Sequence, residues 1–287
     1  MSNTVLLLDA DIFCFQVASS VEQETHWGDD LWTLHSDMLN ARQAFDSKVA
    51  ALRERLGARE VILCFTDGEN FRKQILPTYK SNRKNVRKPL AYNALVESCK
   101  TRYDTYTRPG LEADDVMGIL ATWEAFRPGA RKVIVSEDKD LRTIGGAWLF
   151  NPARDTRPQW TDPEEAARYH LEQTLTGDAT DGYAGCPGIG PETARDLLAN
   201  PYGWERYEHR FKSGPRAGTT EQRWRKHPVG SPWEAVLAQY AKAGLGADVA
   251  LQMARCARIL HATDYNFHEK KPILWNPPRS ASSSTTS

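Results

Sequence analysis

The stretch VLLLD, residues 5–9, places four apolar residues in succession and ends them with an acid. Because no polar residue alternates with the apolar ones, the run is typical of a strand that is buried on both faces. Strands of this kind belong to parallel sheets that helices cover on each side. The stretch therefore predicts the first strand of an α/β domain, with Asp9 at its carboxyl end.

Further strands follow the same design. VILCF (61–65) leads to Asp67, KVIVSE (132–137) leads to Asp138, and YDTYT (103–107) is a fourth candidate. The spacing of Leu and Ala predicts helices between these runs, at about 31–56, at 91–103 and from 112 onward. Alternating strands and helices predict an α/β fold with a mostly parallel central sheet flanked by helices.

The pattern divides the chain into two domains and a tail. We expect an α/β domain over residues 1–160, interrupted at 68–90 by a long polar excursion. The pattern is helical only over 161–276, where a Gly-rich turn, GCPGIG, separates two helical stretches. Residues 277–287 include SASSSTTS and are predicted to be disordered.

Composition excludes several classes of protein. The 287 residues contain 40% hydrophobic residues, enough for a proper core, but no apolar run near the length of a membrane span. No charged segment precedes an apolar signal stretch, so we expect no secretion. The five cysteines are scattered and contain no CxxC pair. This usage predicts reduced thiols in a cytoplasmic protein.

Charge is balanced overall but uneven along the chain. Lys and Arg together number 37, as do Asp and Glu, yet residues 72–88 carry seven basic residues and no acid. Basic residues again outnumber acids over 204–233. Two basic blocks beside clustered carboxylates suggest a polyanion held over a metal site. The second block is either a contact to that polyanion or a mobile insertion.

Acidic residues follow the ends of three predicted strands. Asp9, Asp67 and Asp138 each lie within two residues of the end of an apolar run. In open α/β sheets this edge is where ligands bind, so the three acids are expected to meet there. Asp140 lies close to Asp138 in sequence, and Asp178 and Asp181 form GDATD just before the Gly-rich turn.

The segment LEADD, residues 111–115, adds three carboxylates at the start of a predicted helix. If the helix runs from Glu112, then Glu112 and Asp115 fall on its buried side, and Asp114 points away unless the helix begins later. Two like charges 4 Å apart cost about 4 kcal/mol at an effective dielectric near 20. Oxygen ligands without His or Cys suit Mg²⁺, Mn²⁺ or Ca²⁺, and this many acids indicate two ions.

The order of these motifs resembles the flap endonuclease / 5′-nuclease superfamily, in its phage branch. The matching segments run from about residue 5 to residue 195: LLLDADIF, CFTDGENFRKQILPTYKSNRK, LEADDVMG, VIVSEDKDL and GDATDGYAGCPGIGPETA. The resemblance implies a PIN-like catalytic domain over 1–160 and a helix–hairpin–helix motif at about 178–200. It also implies a basic arch at about 72–95.

The resemblance also implies roles for individual residues. Two Mg²⁺ ions, with Mn²⁺ as a substitute, are implied. The first would be held by Asp9, Asp67, Glu112 and Asp114, and the second by Asp138, Asp140, Asp178 and Asp181, with Asp115 nearby. Lys80 and Arg83 match the basic pair that reaches the scissile phosphate, and Arg72 matches a further basic position.

The implied partner is double-stranded DNA with 5′ ends, flaps or nicks, with RNA–DNA hybrids as a further substrate, bound by a monomer away from membranes. Expected DNA contacts are Lys73, Tyr79, Lys84, Arg87, Lys88, Gly188, Ile189, Gly190 and Thr193. For Tyr79, stacking on a base and packing in the protein remain open. In relatives the hairpin turn also holds a monovalent cation, so K⁺ is expected there.

The implied activity is metal-dependent 5′→3′ hydrolysis of duplex DNA with flap and RNase H activity, in replication or primer removal. Two acids depart from the superfamily pattern. Asp11 is either a structural acid or a water-mediated metal contact, and Glu137 is a surplus acid. Two alternatives remain: a haloacid-dehalogenase-type phosphatase using Asp9, and a DNA-binding module without catalysis.

Overall fold

A computed structural model describes residues 3–83 and 87–278 of the chain, except the side chain of Arg83. From the N-terminus its elements are β1 (Thr4–Asp9), α1 (Ala10–Ser20), β2 (Glu22–His26), β3 (Trp32–Ser36), α2 (Met38–Arg55), β4 (Ala58–Cys64), α3 (Arg72–Ile75), α4 (Tyr92–Arg102), β5 (Asp104–Tyr106), α5 (Ala113–Thr122), β6 (Arg131–Val135), β7 (Trp148–Phe150), β8 (Gln159–Trp160), α6 (Pro163–Thr176), α7 (Pro191–Ala199), β9 (Tyr202–Arg210), β10 (Thr220–Pro228), α8 (Pro232–Lys242), α9 (Ala247–Ala257), β11 (Tyr265–Asn266) and β12 (Lys271–Pro272). Single 3₁₀ turns lie at Ser81–Arg83, Lys139–Thr143 and Ala262–Asp264.

These elements form two compact units. The first takes in the described parts of Met1–Gln74, Arg83–Ala167 and Ile259–Leu274. The second takes in the described parts of Ile75–Asn82, Arg168–Arg258 and Trp275–Ser287. The boundaries expected at 160 and 276 stay predictions. Most of the tail expected to be disordered, 279–287, lies outside the described residues.

A six-stranded sheet, in the order β5-β4-β1-β6-β7-β8, forms the centre of the first unit. Five strands are parallel and β8 is antiparallel to β7, so the predicted mostly parallel sheet is confirmed. Within the central strand, Leu8 lies level with both Leu63 and Val135. Because the three central strands are in step, the residues that follow them emerge at one edge of the sheet.

Helices cover this sheet through apolar side chains. Phe13 of α1, Phe45 of α2 and Leu95 of α4 are fully buried in one cluster with Leu6 and Leu8 of β1. Helix α5 also packs on the sheet, and its Gly118 lies against the 259–260 segment. A Cβ atom at that position would lie 2.3 Å from the carbonyl oxygen of Leu260, so only glycine allows this approach.

The helix expected over 31–56 is shorter in the structure, because its first residues form a strand. Residues Trp32–Ser36 instead form β3, which pairs with β2 in an antiparallel hairpin, and α2 starts at Met38. The turn between the two strands contains positive φ angles at Gly28, Asp29 and Asp30. Gly and Asp tolerate this backbone region best, so the WGDD segment was the local signal for a hairpin.

The second unit contains α6 from Arg168 onward, α7–α9 and a long two-stranded hairpin, β9–β10. The expectation that residues 161–276 are helical only is therefore wrong, as β11 and β12 also show. In YGWERYEHR the residues Tyr202, Trp204 and Tyr207 favour a strand, a signal that the charged residues between them concealed. No helix within the described residues combines the length and the apolar character that crossing a membrane requires.

Candidate functional site

Asp9 lies at the carboxyl end of β1 and caps the N-terminus of α1. Its carboxylate accepts hydrogen bonds from the Ile12 N–H at 3.2 Å and from the Ser136 hydroxyl at 2.7 Å. The pKa of this carboxyl is raised to about 7, chiefly by burial and also by the negative charges of Asp11 and Asp138. Asp9 therefore lies in a concentration of negative charge that favours either a proton or a cation.

Ser136, which the sequence analysis missed, connects two of the predicted metal ligands. Its hydroxyl donates to Asp9 and accepts the Asp138 N–H at 3.1 Å. Asp138 in turn accepts the Asp140 N–H at 2.8 Å. The signal was present in VIVSED, where the first polar residue after a buried strand is a serine. The acids after β1 and β6 thus meet at one edge of the sheet.

Asp67 is joined to the segment that leads into α5. Its carboxylate accepts the Gly110 N–H at 2.8 Å, and its own N–H donates to the Leu111 carbonyl at 2.9 Å. Backbone N–H groups, chiefly that of Gly110, lower the pKa of the Asp67 carboxyl. The Thr66 hydroxyl accepts the Ala113 N–H at 3.0 Å. The end of β4 and the start of α5 are therefore held together.

The LEADD segment forms the N-terminus of α5, with Glu112 as its capping residue. The prediction that Glu112 and Asp115 face inward is confirmed, because they are 8% and 0% exposed. The Arg72 guanidinium donates to both oxygens of Asp115, at 2.7 and 2.8 Å, and to Glu112 at 3.2 Å. Asp115 also accepts the Leu260 N–H at 3.1 Å.

This arrangement places Arg72 inside the first unit, 2% exposed, although the sequence analysis assigned it to catalysis. The two oxygens of Asp115 are fully used by protein donors. The buried charge of Asp115 is thus neutralised by Arg72, which the sequence analysis had placed with the substrate.

Asp11 and Glu137, the two departures from the superfamily pattern, have protein partners. Asp11 accepts the Thr66 N–H at 2.8 Å and the Tyr92 hydroxyl at 3.2 Å. Glu137 accepts the Gln16 side-chain amide at 3.0 Å. Each acid therefore has a structural use in joining elements of the first unit.

In the second unit, Asp178 and Asp181 form a tight turn. Asp178 accepts the N–H groups of Thr180 at 2.7 Å and Asp181 at 3.1 Å. Asp181 accepts the Tyr79 hydroxyl at 2.7 Å, and the Lys80 ammonium lies 3.5 Å from it. The Lys80 backbone, at φ 52°, donates its N–H to the Asp181 carbonyl at 2.8 Å. The TYK motif and the GDATD motif thus form one group.

The remaining basic residues of the predicted arch have different environments. Lys73 is exposed. Arg87 pairs with Glu22 at 3.0 Å and lowers the pKa of that carboxyl to about 2, and Lys88 lies 4.4 Å from the Tyr92 ring centre. Tyr79 is 2% exposed, so this structure shows it packed. Lys84 and the side chain of Arg83 lie outside the described residues.

The predicted helix–hairpin–helix turn joins α6 to α7. Gly185 has φ 68°, and a Cβ there would lie 2.3 Å from the Gly177 nitrogen. Gly188 has φ 76° and Gly190 caps α7, with Pro191 following. The first N–H groups of a helix have no partner within it, so those after Gly190 can receive a phosphate. Thr193 is exposed in the same first turn.

The donor set suits a hard divalent cation, because the Asp9 and Asp138 carboxylates and the Ser136 hydroxyl at the sheet edge are oxygen donors. A bound cation would stabilise the charged form of Asp9, which burial and the neighbouring carboxylates disfavour. In ranges 3–83 and 87–278, no group of three or more His, Cys, Asp or Glu side chains is arranged to hold a metal ion. The oxygen donors are thus of the type that a divalent cation prefers. Binding the cation would require their side chains to change rotamer.

Comparisons with known proteins were consistent with one another. Residues 4–149 match the model of the 5′–3′ exonuclease N-terminal resolvase-like domain. The chain is 37% identical to an exonuclease of Escherichia phage T7, covering 95% of this chain and 93% of that protein. It is 36% identical to an exodeoxyribonuclease of Enterobacteria phage T3, covering 95% and 93%. A bacteriophage T5 flap endonuclease, solved with DNA and metal ions, shares the fold at a TM-score of 0.51 and 19% identity, covering 68% of this chain and 74% of that one.

Proposed function

The chain belongs to the 5′–3′ exonuclease family, and we propose that it uses two Mg²⁺ ions to hydrolyse duplex DNA from its 5′ ends. Membership makes the chain a nuclease and replaces the phosphatase alternative. The observation that carries the metal proposal is the group at the sheet edge in which the Ser136 hydroxyl donates to the Asp9 carboxylate and accepts the backbone N–H of Asp138, whose charge acts on Asp9. Mn²⁺ is proposed as a substitute ion.

The proposed metal ligands are acids that follow the strands of the sheet, that begin α5, or that form the GDATD turn. Asp9, Asp67, Glu112 and Asp114 would hold one ion, and Asp138, Asp140, Asp178 and Asp181 the other. Such ions lower the pKa of a water and stabilise the leaving oxygen. Asp115 would act through Arg72 and not as a ligand, because its oxygens are occupied.

The chain's own cations would complete the site. Lys80 and Arg83 are proposed to stabilise negative charge on the scissile phosphate. The Lys80 N–H donates to the Asp181 carbonyl, which fixes the Lys80 backbone, and the Lys80 ammonium lies 3.5 Å from the Asp181 carboxylate. Exposed Lys73, with Lys84, Arg87 and Lys88, would attract the DNA backbone.

The helix–hairpin–helix would hold duplex phosphates through N–H groups from Gly188 to Thr193, with K⁺ at the turn. We also propose a monomer that acts in the host cytoplasm, because its full-length relatives are phage proteins. Flaps, nicks and RNA–DNA hybrids are proposed as further substrates.

One gel tests the proposed activity. A blunt duplex, a 5′ flap, a nicked duplex and an RNA-primed duplex, each labelled at either end, are incubated with and without Mg²⁺. We expect shortening from the 5′ end only when Mg²⁺ is present. Products that shorten from the 3′ end, or equal cleavage in EDTA, would contradict the proposal.

Metal binding is expected to be visible without any substrate. A cation that relieves the repulsion around Asp9 binds only the folded chain, and at about 100 times its Kd it adds about 2.7 kcal/mol of stability. Mg²⁺ should therefore raise the melting temperature of the wild type, and raise that of Asp9→Asn less. Asp37→Asn is the control, because Asp37 caps α2 on the protein surface. Equal shifts in all three proteins would exclude Asp9 as a ligand.

A further inference from the structure

The β9–β10 hairpin is a ribbon of two nine-residue strands in the second unit. At about 3.4 Å per residue it is about 30 Å long, close to the length of nine base pairs. It begins at Tyr202, three residues beyond the last residue of α7. The ribbon therefore leaves directly from the helix whose N-terminus is proposed to hold a phosphate.

The register of the ribbon sorts its charges onto two different faces. Tyr202, Trp204, Arg206, Glu208 and Arg210 alternate onto one face, with Pro228, Lys226, Trp224, Gln222 and Thr220 as their partners. We call this the Arg206 face, and it carries three cations and one carboxylate. The opposite face carries Glu205, Arg225, Arg223 and Glu221, two cations and two carboxylates.

Ion pairs increase the difference in charge between the two faces. On the opposite face, Arg225 pairs with Glu205 at 2.6 Å and Arg223 pairs with Glu221. Arg216 of the connecting loop also pairs with Glu221, at 3.0 Å. Within the described chain, none of the three cations on the Arg206 face forms an ion pair. Uncompensated positive charge thus lies on one face only.

Two of the three cations of the Arg206 face lie over aromatic rings. The Arg206 guanidinium lies 5.0 Å from the Trp224 ring centre, and the Lys226 ammonium lies 3.8 Å from the Tyr202 ring centre. At the base of the face, the Trp204 indole donates to Gln239 of α8 at 3.0 Å. A guanidinium stacked on a ring loses little further freedom when it meets a phosphate.

We propose that the Arg206 face of the ribbon binds the backbone of duplex DNA beside the helix–hairpin–helix. Its positive charge complements the phosphates, and a two-stranded ribbon is narrow enough to enter a major groove. This inference rests on the proposed function for its choice of DNA as the partner. It extends that function to a contact that lies outside the motifs shared with the superfamily.

Two matched double variants test the proposal. Arg206→Gln with Arg210→Gln removes two charges from the Arg206 face, and Arg223→Gln with Arg225→Gln removes two from the opposite face. Binding of a duplex of about 20 base pairs, twice the ribbon's span, is measured in EDTA across a range of salt concentrations. The slope of log K against log salt should fall by about 1.8 in the first variant, and by less than half of that in the second.

The outcomes separate the ribbon from the nuclease activity. Equal loss in both variants, or an unchanged slope in the first, would overturn the proposal. A loss seen with single-stranded DNA but not with the duplex would also overturn it. If the wild type binds as expected but cleaves no 5′ end in Mg²⁺, the proposed function fails while the ribbon contact stands. Arg223→Gln with Arg225→Gln should cleave as the wild type does.

Discussion

Asp138→Asn is expected to slow DNA cleavage by at least about a hundredfold, since even losing a partner of a metal ligand costs 10- to 100-fold. The substitution removes the carboxylate charge of Asp138, whose backbone N–H donates to the same Ser136 hydroxyl that donates to Asp9. Asparagine keeps the size of the side chain and can still accept the Asp140 N–H, so the 139–143 turn should persist. Single-turnover cleavage of a 5′-labelled duplex in saturating Mg²⁺ measures the effect.

Asp37→Asn is the matched control for this experiment. Asp37 also caps a helix, accepting the N–H groups of Leu39 and Asn40, but lies on the surface. Both variants should melt at the temperature of the wild type when metal is absent. Wild-type cleavage rates in Asp138→Asn would show that Asp138 is not a metal ligand and would remove the basis for the second ion.

Arg72→Met is expected to destabilise the first unit by about 3–5 kcal/mol, which is the usual cost of breaking a buried ion pair. The variant leaves Asp115 charged and 0% exposed, without the two bonds from the guanidinium. Urea unfolding measures the effect. With two units in the chain, the transition of the first must be followed by its own spectroscopic signal.

Arg102→Met is the control for the ion pair. Arg102 pairs with Asp46 at 2.6 Å, but the two side chains are 35% and 43% exposed. An exposed pair is worth about 0.2–1 kcal/mol, so this variant should unfold at nearly the urea concentration of the wild type. Equal losses in Arg72→Met and Arg102→Met would show that the buried pair does not hold α5 in place.

A second variant distinguishes charge from packing. Combining Arg72→Met with Asp115→Leu removes both charges, and buried ion pairs replaced by apolar residues often lose little stability. The recovery should be partial, because the Leu260 N–H would lose its acceptor. A double variant as unstable as Arg72→Met would mean that the shape of the guanidinium matters more than its charge.

The strands and the acids that follow them could be predicted from the sequence alone. VLLLD, VILCF and KVIVSE carry local patterns of apolar residues, and such patterns decide which strands are buried on both faces. Parallel strands in step then bring their carboxyl ends to one edge, so the approach of Asp9 and Asp138 follows from the pattern as well. The inward side of Glu112 and Asp115 likewise follows from the helical period.

Partners distant in sequence could not be predicted. Arg72 lies 43 residues before Asp115, and no local pattern states that its guanidinium turns inward to neutralise that carboxylate. Ser136 was likewise assigned no role, because its hydroxyl meets the Asp9 carboxylate only when β1 and β6 pair in the folded sheet.

The ribbon illustrates the same division. The sequence shows that residues 204–233 are basic, but pairing Arg206 with Trp224 and Glu205 with Arg225 requires the register of two strands. A shift of one residue would exchange the faces and cancel the sorting of charge. Local periodicity thus determines which segments are buried, whereas the partner of each charge depends on contacts that form only when the chain folds.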